Sequence, residues 1–240
     1  MNTKPEVITV ATHNEGYLNK LINNKYTKVK VLGFGQKWTG YRMKSELIYS
    51  YIKDLPDDKI IIFVDGFDSI INGNINNAIN IFKKNKYKLL FSSGLPDNSK
   101  KYTMENIKNT IIKKTITDSI FKECKNSTII VCSMYMGYVK YLKIFLKKEL
   151  EFKCKDDQVV FNNICSNYNF IDLDYKQQIF KNIPFTKYHK TDKNNKQIFL
   201  SYPGKVSINR YYRGLFEYSQ FFIKIWILLL SLVLIFLYKK

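Results

Sequence analysis

Residues 59–64 read Lys-Ile-Ile-Ile-Phe-Val and run straight into Asp65-Gly66-Phe67-Asp68. A short apolar run rich in β-branched residues, bounded by polar clusters, offers no polar face to water, so it belongs in a strand covered on both sides. Residues 6–11 (Glu-Val-Ile-Thr-Val-Ala) have the same character, and 87–92, 127–133 and 197–201 are similar. Between them, 41–53, 75–84, 105–121, 137–150 and 157–167 carry apolar residues at helical spacing. Strands alternating with helices predict an α/β fold with a mainly parallel sheet flanked by helices. Ligands of such sheets bind beyond the carboxyl ends of the strands. The loops after Ala11, Leu32, Val64 and Ser133 are therefore where chemistry is expected.

The composition narrows the function classes. The 240 residues carry 39 Lys+Arg against 20 Asp+Glu, a formal charge of +19, with 45% hydrophobic and 15% aromatic residues. That much apolar content excludes a disordered basic tail. With 10 Gly and 5 Pro and no fixed period, a collagen-like chain is excluded too. The surplus charge suits nucleic acid, an anionic membrane or a phosphate-bearing ligand. No recognition motif accompanies it, which disfavours nucleic acid, and Lys scattered among Asn, Ile and Tyr is equally what an A/T-rich coding bias produces. Cys124, Cys132, Cys154 and Cys165 fit neither a zinc knuckle nor a dense disulfide framework and read as reduced thiols.

The two ends of the chain differ. The apolar run Val7 to Ala11 is too short for a signal-peptide core. From Phe221 to Tyr238 only Lys224 and Ser231 interrupt an apolar stretch, which as a helix would span roughly 27 Å of a ~30 Å hydrocarbon layer. The expectation is a folded domain over 1–215 and a transmembrane anchor over 221–238, with the domain facing the cytosol and its lysines against anionic lipid. A buried C-terminal core helix is the alternative.

Asp65 and Asp68 leave the carboxyl end of a buried strand together. Two hard oxygen ligands this close suit Mg²⁺ or Mn²⁺, and such an ion bridges the oxygens of a diphosphate. A strand-ending turn in which Asp caps the next segment would use the same residues. Asp156-Asp157-Gln158 opens a predicted helix, where acidic residues stabilise by ~0.3–1 kcal/mol whatever the function.

Taken in order, Val7-Ile8-Thr9-Val10-Ala11-Thr12 with Glu15-Gly16-Tyr17, Val31-Leu32-Gly33-Phe34-Gly35 with Trp38, Phe63-Val64-Asp65-Gly66-Phe67-Asp68 and Asp156-Asp157-Gln158 resemble the glycosyltransferase domain of the procollagen lysyl hydroxylases. The resemblance covers roughly residues 7–204. It implies a nucleotide-diphospho-sugar transferase fold, UDP-glucose or UDP-galactose as donor, Mn²⁺ (or Mg²⁺) as cofactor, and a hydroxyl acceptor such as hydroxylysine of a collagen-like chain. By the same resemblance Asp65 and Asp68 bind the metal and Phe67 stacks on uracil. Val10 and Thr12 line the uridine pocket, Trp38 lies on a loop over the nucleotide, and Arg42 and Lys205 stand near the diphosphate. Asp157, with Asp156 as second choice, is the candidate for sugar binding or proton transfer.

Two segments depart from the family. Ser201 stands where the family has a third, histidine metal ligand, and a hydroxyl is the poorer ligand; His189 is the substitute if the alignment slips. Met134 and Tyr135 replace small residues and are expected to narrow the substrate space. The chain is thus expected to be a membrane-anchored, metal-dependent glycosyltransferase using a UDP-sugar; the alternative is a catalytically impaired, membrane-tethered binding protein on the same fold.

Overall fold

The computed structural model describes residues 4–94, 124–125, 128–152, 157–183 and 194–203, with 226–227, 229–231 and 238 near the C-terminus. Among these the strands are β1 (Glu6–Val10), β2 (Val29–Leu32), β3 (Ile60–Val64), β4 (Ser69–Ile71), β5 (Leu89–Ser93), β6 (Ile130–Tyr138), β7 (Ile171–Leu173), β8 (Phe180–Asn182) and β9 (Phe199–Ser201). The helices are α1 (Leu18–Ile22), α2 (Arg42–Ile52), α3 (Ile75–Lys84), α4 (Val139–Leu150) and α5 (Asp157–Cys165). The expected helix over 105–121 lies outside the described residues.

One mixed sheet has the order β2-β1-β3-β6-β5-β7. β1 is parallel to β2 and β3, and β5 to β7, whereas β6 is antiparallel to both β3 and β5. Five strands therefore point one way, and the start of the reversed β6 lies beside their carboxyl ends. A smaller sheet, β4-β9-β8, is built directly onto the chain leaving β3.

The all-apolar β3 is explained by its two faces. Ile61 and Phe63 enter a core with Ile48 and Ile52 of α2, Leu142, Phe145 and Leu146 of α4, and Phe161 of α5. Ile60, Ile62 and Val64 enter the opposite core, with Ala78 and Phe82 of α3 and Phe199 of the small sheet. Each fully buried large side chain contributes about 1.5–3 kcal/mol, so the strand order is fixed by burial on both sides.

Three expectations are corrected. The strand predicted over 127–133 instead runs through Tyr138, and the following helix starts at Val139. Met134 and Tyr135 therefore do not narrow a substrate space: they pair with Val64 and Phe63 inside the sheet, and Tyr135 stacks on Phe63 at 4.8 Å. Gly137 lets β5 come close on the other side of β6, because a Cβ there would lie 2.8 Å from Leu89 Cδ1 and 3.1 Å from the Lys88 carbonyl. Finally, Cys124 and Cys165 are not free thiols but form a disulfide with Cα atoms 5.3 Å apart, while Cys132 is free and buried. Most of 221–238 lies outside the described residues, and among the described residues no helix is long and apolar enough to cross a membrane.

Candidate active site at the carboxyl rim

The rim is organised by the tetrapeptide after β3. Asp65 N–H donates to Ser133 O at 2.8 Å, tying the turn to β6, and Thr9 Oγ1 donates to Val64 O at 2.7 Å, tying it to β1. Gly66 is required by contact: a Cβ there would stand 2.9 Å from Val10 O and 3.0 Å from Thr9 Oγ1. The next two carbonyls are held as well, Phe67 O by Tyr17 N–H at 2.8 Å and Asp68 O by Tyr202 N–H at 2.7 Å. Four elements thus fix the backbone on which both carboxylates are mounted.

The carboxylates face different neighbours. Asp65 Oδ1 lies 3.5 Å from Lys44 Nζ, and the same ammonium lies 2.6 Å from Asp157 Oδ2. Asp157 Oδ1 in turn accepts from Gln158 N–H at 2.9 Å at the start of α5. Burial works to lower the Lys44 pKa, but the charges of Asp157 and then Asp65 prevail and hold it well above the usual lysine value. Lys44 is therefore a fixed cation between two acids from different elements. Asp68, only 3% exposed, accepts at Oδ1 from Ser69 Oγ and Ser201 Oγ, each at 3.4 Å. Ser201 and Asp68 meet because β4 and β9 pair with Ser69 opposite Ser201.

The remaining candidates fall into four groups. Near the turn, Phe67 packs on the His13 ring at 5.1 Å; His13 is bonded to Thr12 Oγ1 and to Glu15 Oε2, each at 3.0 Å. Trp38 is exposed on the loop after β2, edge-on to Tyr41 at 5.9 Å. The structure places two candidates differently from the sequence expectation. The Val10 side chain belongs to the core beside Phe63. Arg42 does not turn to the rim: its guanidinium donates to the carbonyls of Leu150 and Phe152 at the end of α4 and pairs with Glu46. Unpaired carbonyls at a helix C-terminus attract a cation, and residues two apart on a helix face different ways, so Arg42 and Lys44 diverge. Asp156 and Lys205 lie outside the described residues.

The sequence alone did not single out Lys44. A signal was present: Lys44, Ile48 and Ile52 stand four apart, and all three are buried, so a lysine occupied the apolar stripe of α2. In donor chemistry the trio Asp65, Asp68 and Ser201 supplies only oxygen, the set that Mg²⁺ and Mn²⁺ prefer. Among the described residues no cluster of three or more His, Cys, Asp or Glu side chains suitable for a metal occurs.

Comparison with known proteins adds the following. The family model described as the PLOD GT domain matches residues 1–200. The procollagen-lysine,2-oxoglutarate 5-dioxygenase of Drosophila melanogaster is 27% identical over 206 residues, 76% of this chain and 26% of that protein. Procollagen-lysine,2-oxoglutarate 5-dioxygenase 2 of Mus musculus is 31% identical over 102 residues, 36% of this chain and 14% of that protein. The matches span about a quarter or less of the length of these relatives. Among solved structures, the apo form of the bifunctional glycosyltransferase WbbM superposes with a TM-score of 0.50 at 11% identity, over 85% of this chain and 46% of that one, a likeness of fold.

Proposed function

The chain belongs to the PLOD GT (glycosyltransferase) domain family, and from that premise we propose that it transfers a hexose from a UDP-sugar to an acceptor hydroxyl. The observation that carries this reading is the line Asp65–Lys44–Asp157 at the carboxyl rim, with Asp68 and Ser201 beside it. Displacement of UDP at an anomeric carbon builds negative charge on the leaving diphosphate, and stabilising that charge is the main electrostatic demand of the step. Lys44 is a preorganised cation for this purpose, locked by two acids and partly withdrawn from water. Asp157, whose Oδ1 is held by the α5 backbone, would accept a hydrogen bond from a sugar or acceptor hydroxyl on this reading. Asp65, Asp68 and Ser201 would hold a Mn²⁺ or Mg²⁺ ion, which when bound neutralises diphosphate charge as a Lewis acid. Phe67 offers a π-face to the uracil, with Thr12 and Trp38 as further nucleotide contacts.

The donor sugar is glucose or galactose on this reading, and the acceptor is hydroxylysine or a related hydroxyl of a collagen-like chain. Attachment through 221–238, with the domain on the cytosolic side, is part of the same proposal; its support is the apolar run itself, and its test is whether the protein stays in the membrane fraction after alkaline extraction.

The activity test is UDP-sugar hydrolysis by the full chain with and without Mn²⁺. Metal-dependent release of UDP is the expected result; neither turnover nor UDP binding under any metal condition would overturn the proposal. Ser201 in place of a stronger third ligand favours a second reading, an impaired binding protein on the same fold. That reading predicts that Asp65→Ala leaves the biological role intact.

A further inference from the structure

Glu149 stands out from every other charged residue described. It is 1% exposed near the end of α4, and its Oε2 is buried with no hydrogen-bond partner. An ionised carboxylate left half-unpaired away from water is costly, and the neutral acid far less so. The surroundings reinforce the point. From α2 come the Ser45 hydroxyl, which hydrogen-bonds to the Glu149 carboxyl, and the charges of Arg42 and Glu46; from α5 comes Asp157. Tyr135 of β6 is close enough to feel the Glu149 charge, and on α4 itself the neighbouring Lys148 is taken by Glu151 at 2.6 Å. The groups around Glu149 are thus mixed in sign, and none donates to Oε2.

We propose that Glu149 is a positioning residue, a buried carboxyl group at the joint of α2, α4 and α5 that works as the neutral acid and sets where Lys44 and Asp157 meet. The joint is made by one turn of α2. Arg42 holds the Leu150 and Phe152 carbonyls, Lys44 holds Asp157, and Ser45 holds Glu149. The end of α4 and the start of α5 are therefore clamped to the same turn, and Glu149 is the more deeply buried of the two acids it holds. Burial first, then the nearby Asp157 and Glu46 charges, push its pKa up to about 7 against the opposing pull of Ser45 and Arg42. Ionisation would place a third negative charge beside Asp157 and Glu46 and press α4 and α5 apart from α2. The inference rests on reading Lys44 and Asp157 as parts of the donor site.

The test uses the full chain as wild type, Glu149→Gln and Glu149→Ala, with melting temperature and UDP affinity (Mn²⁺ present) followed from pH 5 to 8. The folded protein keeps this proton up to about pH 7, whereas the unfolded chain loses it near 4.5. Wild-type stability should therefore fall as pH rises through that window, while Glu149→Gln, a permanent neutral mimic, shows a flatter profile. Expressed as a ratio to wild type at each pH, the UDP affinity of Glu149→Gln should rise from near unity at pH 6 to about tenfold at pH 8. Glu149→Ala should be weaker than Glu149→Gln throughout. A pH slope in Glu149→Gln equal to that of wild type, or damage equal to Glu149→Ala, would overturn the proposal. If wild type bound no UDP at any pH, the donor-site reading would fall, and the melting profiles would still decide whether Glu149 works as a neutral acid.

Discussion

Asp65 and Asp68 stand three residues apart on one rigid turn, yet their settings differ in kind. Asp65 is partly open to solvent and faces an ammonium that also serves Asp157. Asp68 is buried against the small sheet and meets the hydroxyls of Ser69 and Ser201. The first carboxylate is part of a charge-compensated line that supports the fold as well as the rim; the second hydrogen-bonds to two hydroxyls of the small sheet, where the proposal puts the bound cation. Removing charge from the two sides should therefore damage different properties.

The largest effect is expected at the shared cation. Lys44→Ala strips the partner from two acids at once, and breaking a largely buried pair in this way costs about 3–5 kcal/mol, to be read in urea unfolding. A loss under 1 kcal/mol would mean that Asp65 and Asp157 are compensated by solvent, and the contrast with Asp68 would vanish. The second effect separates binding from stability. Asp68→Asn keeps the shape and the hydroxyl contacts, so stability should move by no more than about 1 kcal/mol, while Mn²⁺-dependent UDP affinity drops at least about tenfold, equivalent to ~1.4 kcal/mol. An equal loss of UDP affinity with and without metal would place Asp68 outside the cation's reach.

The smallest effect concerns Arg42. Its contacts cap α4, so Arg42→Ala should lower stability by about 1 kcal/mol and reduce UDP affinity less than Lys44→Ala does. A diphosphate clamp would give the reverse, a large affinity loss with unchanged melting temperature.

How far the chain could be read in advance follows from the range of each signal. The β3 run and the Asp-Gly-Phe-Asp turn were legible because burial on two faces leaves an unbroken apolar word. Helix α3 was legible to its ends, since Asn74 caps the backbone N–H of Asn76 and Lys83 and Lys84 close the last turn. Strand β6 was misread beyond Ser133 because Met-Tyr-Met-Gly is neither β-branched nor alternating in polarity; it is a strand because Leu90 and Ile62 on either side need partners. The Cys124–Cys165 disulfide joins residues 41 apart in sequence, and spacing alone carries no such information. Lys44 is the instructive miss. The family resemblance pointed to Arg42, but helical geometry aims the residue two positions later at the rim and sends Arg42 to α4.

The central claim is that this rim grips a diphosphate through acidic residues, a cation and Lys44. Calorimetric titration of UDP into wild type and Asp68→Ala, each with and without Mn²⁺, tests it most directly. The account predicts binding by wild type that strengthens when Mn²⁺ is added, and no such strengthening in Asp68→Ala. Wild-type affinity that is absent, or identical with and without the metal, would contradict it.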